Sequence, residues 1–149
     1  VKLAERNPGV RFNGDFSHWY TGLEMVYGGV EPKCDFAANV FDRVRFMHGR
    51  IGNSGCMQVE VGDSFEEAIT RDYVQHHMHM WTRAMAGFLK DAQPGDVLPF
   101  APEILFPKIN YARTFPDAQG NSGEESDRWA DALVYCRIAK ACFEKAQEV

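Results

Sequence analysis

An aspartate and a histidine stand three positions apart in the stretch GDFSHWY, residues 14–20, which is otherwise largely apolar. They are Asp15 and His18, and they follow the strand-like run VRF. A carboxylate in such surroundings needs a partner that compensates for its burial, and a metal ion bound together with an imidazole is one such partner. The competing interpretation is that Asp15 caps a turn and that His18 is an ordinary core or surface histidine.

Two further segments end on residues of the same chemistry. The run RVRFMH ends at His48, with Arg50 two positions later, and Glu103 lies in the stretch GDVLPFAPEILF. The carboxyl ends of parallel strands share one face of a sheet, where active sites form. The sequence therefore predicts a site in which Asp15, His48 and Glu103 bind a divalent ion such as Mn²⁺, Mg²⁺, Co²⁺ or Zn²⁺. Arg50 should reach the same opening and hold an anionic or hydroxyl-rich ligand.

Helix signals alternate with these strand signals. A first helix is predicted from about Thr21, with a break at Gly28–Gly29 and a new start near Pro32. A long helix is predicted over 65–88, after a capping box formed by Ser64 and Glu67. Three histidines crowd this helix, but no two are four positions apart, so a solvated or partly buried stripe is favoured over a metal clamp: His76, His77 and His79.

The third strand should be short, because Pro99 and Pro102 weaken its pairing. A second capping box, Ser122 to Glu125, predicts the start of the last helix, whose apolar face would hold Trp129, Leu133, Cys136 and Phe143. The resulting order β-α-β-α-β-α predicts one α/β unit over residues 1–149, with parallel strands joined by helical crossovers.

Composition limits the partners of the chain. The net charge is −5 and no cluster of Lys and Arg stands out, which argues against nucleic-acid binding. There is no apolar run of membrane-spanning length and no signal-peptide pattern. Four cysteines without CxxC spacing predict reduced thiols in a cytoplasmic protein; Cys136 and Cys142 should point to different helix faces and remain unbridged.

Considered together, these segments resemble the sugar phosphate isomerase/epimerase family, which has the xylose-isomerase-like TIM barrel. The sixth strand of that family commonly carries Asp-x-Ser-His-Trp, and the seventh carries His-x-Arg-x-Gly followed by Gln-Val. The eighth carries Pro-Glu, with an aromatic residue several positions on. The matching residues here are Asp15, Ser17, His18 and Trp19; His48, Arg50, Gly52, Gln58 and Val59; and Pro102, Glu103 and Tyr111.

The resemblance implies a divalent-metal-dependent isomerase or epimerase acting on a small sugar or sugar phosphate. Asp15, His48 and Glu103 would be the metal ligands, and Glu103 would also act as an acid/base group. His18 and Arg50 would contact substrate oxygens and take part in catalysis. Trp19 would line the pocket and Gln58 would hydrogen-bond the substrate; the alternatives are core packing for Trp19 and loop ordering for Gln58.

The resemblance covers only strands six to eight, whereas a complete barrel has eight strands and typically about 250 residues. The expected fold is therefore a partial TIM barrel, the C-terminal part of a longer enzyme, which should be inactive alone. The remaining metal ligand of the family, a glutamate on the fifth strand, should lie upstream of residue 1. Because the sheet would have two unpaired edges, the chain is expected to form a homo-oligomer.

Two other functions remain open at this stage. Apurinic endonucleases of the endonuclease IV type resemble the pattern of strand-end Asp, His and Glu, although the acidic charge disfavours contact with DNA. A non-catalytic half-barrel that only self-associates is the other alternative. A hydrolase or lyase on the same scaffold is also compatible, because a fold does not determine its chemistry.

Overall fold

Three parallel strands lie side by side in the computed structural model, which describes all 149 residues. They are β1 (Phe12–Gly14), β2 (Val44–Gly49) and β3 (Phe100–Pro102), with β2 in the middle. The predicted α/β class and the predicted strand positions are confirmed. The third strand has only three residues and ends on a proline, as expected from its loss of a backbone donor.

Four helices occupy the first part of the chain: α1 (Lys2–Arg6), α2 (Phe16–Gly22), α3 (Val30–Phe36) and α4 (Ala38–Phe41). The predicted helix start near Thr21 is wrong, because α2 begins at Phe16, immediately after Asp15. The predicted break at Gly28–Gly29 lies too late, because α2 ends at Gly22, but the two glycines do directly precede α3. Both glycines have positive φ, 79° and 92°, which residues with a Cβ rarely adopt. Pro32 lies in the first turn of α3 as predicted.

The predicted long helix is two helices, α5 (Phe65–Ala68) and α6 (Asp72–Leu89). The serine of the capping box is confirmed, because Ser64 Oγ accepts from the backbone N–H of Glu67 at 3.1 Å. The carboxylate of Glu67 accepts from Asp63 N–H instead of closing the box on Ser64. The helix is interrupted where the side chains of Thr70 and Arg71 donate to the carbonyl of Glu67, which a continuous helix would offer to the N–H of residue 71.

The second predicted capping box is wrong. Ser122 lies in a strand, β5 (Ser122–Glu124), which forms an antiparallel hairpin with β4 (Thr114–Pro116). The last helix, α7 (Arg128–Ala146), begins after the hairpin and is capped by Asp127, whose Oδ1 accepts from Trp129 N–H at 2.9 Å. A short 3₁₀ turn, Pro107–Ile109, precedes the hairpin.

The predicted apolar face of α7 is also wrong in its first half. Trp129 and Leu133 are 67% and 66% exposed. The buried face is built mainly from small side chains, which a search for large apolar residues overlooks. This face packs against α6 and the sheet, and its members are Ala132, Val134, Tyr135, Ile138, Ala139, Cys142 and Ala146.

The core lies between the sheet and these helices, with Trp81 and Met47 among its fully buried side chains. All four cysteines are free. None of the helices combines the length and the apolar character that a membrane crossing requires.

Replacing Gly87 by alanine is expected to destabilise the fold by about 1–3 kcal/mol, although alanine is the better helix former by about 1 kcal/mol. An added Cβ would lie 2.6 Å from Asp42 Cα and 2.8 Å from Phe41 O, so α6 would have to move away from the end of α4. Urea unfolding of Gly87→Ala measures the loss. Gly22→Ala, at a helical glycine with open space around it, is the matched control and should be neutral or slightly stabilising. Equal effects of the two substitutions would contradict the close approach.

Candidate metal centre

The structure brings Asp15, His48 and Glu103 together at the carboxyl ends of the three parallel strands. Asp15 directly follows β1, His48 lies in β2, and Glu103 directly follows β3. One potential ligand atom from each residue lies within 4.8 Å of the other two. His48 Nδ1 is 3.5 Å from Glu103 Oε2 and 3.9 Å from Asp15 Oδ2. The three residues are partly buried, so a ligand can reach them from solvent.

Asp15 occupies the N-cap position of α2, but its side chain does not cap the helix. Its Oδ1 accepts from Ser17 Oγ at 2.7 Å, and its Oδ2 accepts from Arg50 Nη2 at 2.5 Å. The alternative that Asp15 caps a turn is therefore correct for the position of its backbone, at the start of α2. It is wrong for its carboxylate, which binds Ser17 and Arg50 instead of the helix. Ser17, which the sequence analysis placed in the motif without a role, is a hydrogen-bonding partner of this carboxylate.

Arg50 is the fully buried cation of the site. Its Nε donates to Ser17 Oγ at 2.9 Å, and its Nη2 lies 2.9 Å from His18 Nε2 as well as against Asp15. Its Nη1 lies 2.8 Å from Glu103 Oε2 but is not aligned for a hydrogen bond with that or any other atom. Arg50 therefore pairs with two carboxylates and keeps one buried N–H group available for another oxygen.

His18 joins the cluster through this guanidinium. His18 Nε2 lies 2.9 Å from Arg50 Nη2 and 3.2 Å from Asp15 Oδ2, so the imidazole faces both members of this ion pair. The ring of Tyr111 lies edge-on to His18, with centroids 5.5 Å apart, and 5.0 Å from Arg50 Cζ. Tyr111 thus covers part of the site. Its place in the Pro-Glu motif was the only sequence signal for it.

Asn13 is a site residue that the sequence analysis missed. It lies in β1 two positions before Asp15, and its amide nitrogen is 3.3 Å and 3.4 Å from the two ring nitrogens of His48. The signal that could have revealed it is the pairing of parallel strands, because Asn13 lies opposite Phe46, two residues before His48. Asn13 therefore orients the imidazole.

Both ends of the Gln58 amide are hydrogen-bonded to the backbone of Leu105. Gln58 Nε2 donates to Leu105 O at 2.9 Å, and Leu105 N–H donates to Gln58 Oε1 at 2.8 Å. The backbone of Gln58 also accepts from Arg113 N–H and donates to Tyr111 O. In this arrangement the amide orders the loop that carries Tyr111, which was the alternative to substrate binding.

Trp19 takes no part in the contacts that join Asp15, His18 and Arg50. Its ring packs edge-on against Phe16 and Phe41, at centroid distances of 5.4 Å and 5.8 Å. It also lines an apolar groove with Leu23 and Phe36. These contacts are those of a packing residue, the alternative that the sequence left open.

A buried histidine, His77, supports the loop that follows Arg50. Its Nδ1–H donates to Tyr73 O at 2.8 Å, and its Nε2 faces the backbone N–H of Gly52 at 3.5 Å. Burial lowers the pKa of His77 to about 4, against the smaller opposing effect of the hydrogen bond to Tyr73. Its sequence context, a stripe of three histidines, gave no sign that this one is completely enclosed.

The donor set of the cluster fits a divalent cation. Two carboxylates and one imidazole suit Mn²⁺, Mg²⁺, Co²⁺ or Zn²⁺, and three protein ligands leave coordination positions open for water or a substrate. Arg50 Nη1, which lies beside Glu103 Oε2 without an aligned hydrogen bond, is a second indication of a ligand, because buried donors are nearly always satisfied. The Asp15, His48 and Glu103 cluster could therefore hold a metal ion.

Comparisons with protein families, with curated proteins and with solved structures return no match for this chain.

Proposed function

We propose that the chain belongs to a divalent-metal-dependent isomerase or epimerase that acts on a small sugar or sugar phosphate. In this proposal its three strands and their helices are part of a xylose-isomerase-like barrel. The observation that carries the proposal is the convergence of Asp15, His48 and Glu103 at the carboxyl ends of three adjacent parallel strands. That end of the strands is where barrels and open α/β sheets bind their substrates.

Asp15, His48 and Glu103 would hold the ion. A bound divalent ion polarises a carbonyl and its neighbouring hydroxyl, which stabilises the negative charge that develops when a proton leaves the adjacent carbon. Glu103 is the more accessible of the two carboxylates, with 33% of its side chain exposed against 12% for Asp15. Glu103 is therefore the group that would accept and return the substrate proton.

The neighbours of Glu103 would bind and orient the substrate. Arg50 Nη1 is buried beside Glu103 and makes no aligned hydrogen bond, and the ring of Tyr111 covers the guanidinium from one side. A hydroxyl or carbonyl oxygen placed there would accept a hydrogen bond from Nη1. His18, held by Arg50, would contact a second oxygen and so fix the orientation of a small polyol.

Metal binding is the direct test of the proposal. Isothermal titration of the wild-type chain with Mn²⁺ should give one site, and the double variant His48→Ala, Glu103→Gln should lose it. Asp15 is left unchanged because it also supports Arg50. The matched control is His79→Ala, Asp96→Ala, which removes one imidazole and one carboxylate outside the cluster. Equal Mn²⁺ binding by the two double variants would refute the site.

We further propose that the chain self-associates. Strands β1 and β3 pair only with β2, so each has one unpaired edge, and unpaired edges are templates for pairing with another chain. Light scattering over a range of concentrations should show a mass of at least two chains. A monomer at every concentration would contradict this proposal without affecting the metal site.

A further inference from the structure

We infer that Arg50 competes with a divalent ion for Asp15 and Glu103 and that metal binding frees its guanidinium for a ligand oxygen. The inference rests on the proposed metal site and deepens it, because it assigns an order: the divalent ion binds first and the organic ligand second. Arg50 then has two alternative sets of partners, the carboxylates of the site or the ligand.

The first observation concerns which oxygens Arg50 contacts. Its Nη2 is 2.5 Å from Asp15 Oδ2, and its Nη1 is 2.8 Å from Glu103 Oε2. These are also the carboxylate oxygens nearest to His48 Nδ1. The atoms best placed to coordinate an ion beside His48 are therefore those that the guanidinium already neutralises.

The second observation is that Asp15 has no unused oxygen. Its Oδ1 accepts from Ser17 Oγ and its Oδ2 from Arg50 Nη2, so an ion bound through either oxygen would share the Asp15 carboxylate with the guanidinium. An ion bound by Asp15 and Glu103 shares its ligands with a fixed positive charge. Two cations that share ligands in a partly buried site repel each other strongly.

The third observation shows how the guanidinium can release a carboxylate. Its Nε hydrogen bond to Ser17 Oγ does not involve a metal ligand, so the side chain remains attached there. The contact of Nη1 with Glu103 is already misaligned, which makes it the weaker of the two carboxylate contacts. Release of Glu103 would leave Nη1 of this buried arginine without a carboxylate, so that its N–H groups could donate to a ligand oxygen.

Charge defines the class of that ligand. The formal charges of Asp15, Glu103 and Arg50 sum to one negative charge, and a divalent ion changes this sum to one positive charge. A site with a single positive charge and a free guanidinium N–H fits a neutral polyol carbonyl or a monoanion such as an α-hydroxy carboxylate.

Mn²⁺ titration of Arg50 variants tests the inference, because it predicts whether each substitution raises or lowers the affinity for Mn²⁺. Arg50→Gln should bind Mn²⁺ about tenfold more tightly than the wild type, because the competing charge is gone. Arg50→Lys, which keeps the charge, should bind no more tightly than the wild type. Arg83→Gln removes a positive charge from an exposed pair with Asp35 and should leave the affinity unchanged. Arg50 would be a supporting group and no competitor if Arg50→Gln bound Mn²⁺ equally well or more weakly.

A second measurement on the wild-type chain is independent of whether Arg50→Gln folds. In ¹⁵N NMR spectra, Mg²⁺ should change the Nη signals of Arg50 and the rate at which their protons exchange, while the Nε signal stays in place. Unchanged Nη signals at saturating Mg²⁺ would overturn the inference and leave the metal site intact. If neither the wild type nor Arg50→Gln binds a divalent ion, the proposed function fails together with the inference.

Discussion

Asp15→Ala is expected to lower the free energy of unfolding by about 3–5 kcal/mol, a large part of the stability of a single domain. Arg50 is completely buried, and Asp15 provides its shortest ion pair. The alanine variant leaves that charge with Glu103 as its only carboxylate partner, in the misaligned contact, beside the contacts with Ser17 and His18. Losing one partner of a buried pair costs much more than losing a surface pair, because the remaining charge stays out of water.

A double-variant cycle separates the ion pair from packing. Asp15→Ala, Arg50→Met removes both charges and should recover part of the lost stability, since an apolar side chain of similar length can fill the space. Asp35→Ala breaks the exposed pair with Arg83 and should cost less than about 1 kcal/mol. Urea unfolding of these three variants, of the wild type and of Arg50→Met alone, which completes the cycle, measures the coupling. An Asp15→Ala effect as small as that of Asp35→Ala would show that the buried pair contributes little.

The second large effect expected is a loss of stability in acid caused by His77. Its folded-state pKa of about 4 lies below the usual value of 6.5, so below pH 6.5 the unfolded chain binds a proton that the folded chain does not. Stability should therefore fall as the pH decreases from about 6.5 to about 4, and this contribution should level off below that. One pKa unit corresponds to about 1.4 kcal/mol, so the free energy of unfolding should fall by about 2 kcal/mol between pH 7 and pH 5.

Urea unfolding at these two pH values, for the wild type and for His77→Asn, isolates this contribution from that of the carboxylates. Asparagine keeps a donor for Tyr73 O but does not titrate, so the variant should lose less stability in acid than the wild type does. Gln75→Ala, on the exposed side of the same helix, should retain the wild-type pH dependence. An NMR titration that places the midpoint of His77 near 6.5 would contradict the prediction.

The residues at the strand ends were predictable because a charged or imidazole side chain at the end of an apolar run is uncommon and indicates a functional position. Asp15, His48 and Glu103 each follow a strand, and parallel pairing then brings them together without further knowledge of the chain. The capping residue of α5 was predictable for a similar reason, since Ser64 acts on a neighbour three positions away.

The remaining features depend on contacts that are distant in sequence. The reciprocal hydrogen bonds between Gln58 and Leu105 join residues 47 positions apart, and a local pattern gives no indication of them. Ser122 matched a capping box, yet cross-strand pairing with Pro116 placed it in a hairpin. Tertiary context overrides local preference in such cases.

The parallel order of the strands also sets the time at which the centre can form during folding. Asp15, His48 and Glu103 are separated by two crossovers, so no pair of them meets until distant parts of the chain have closed their loops. Such non-local pairing is slow. The proposed affinity for a divalent ion should therefore appear late in refolding and in a single step. The rate of Mn²⁺ binding during refolding would then report the rate at which β3 pairs with β2.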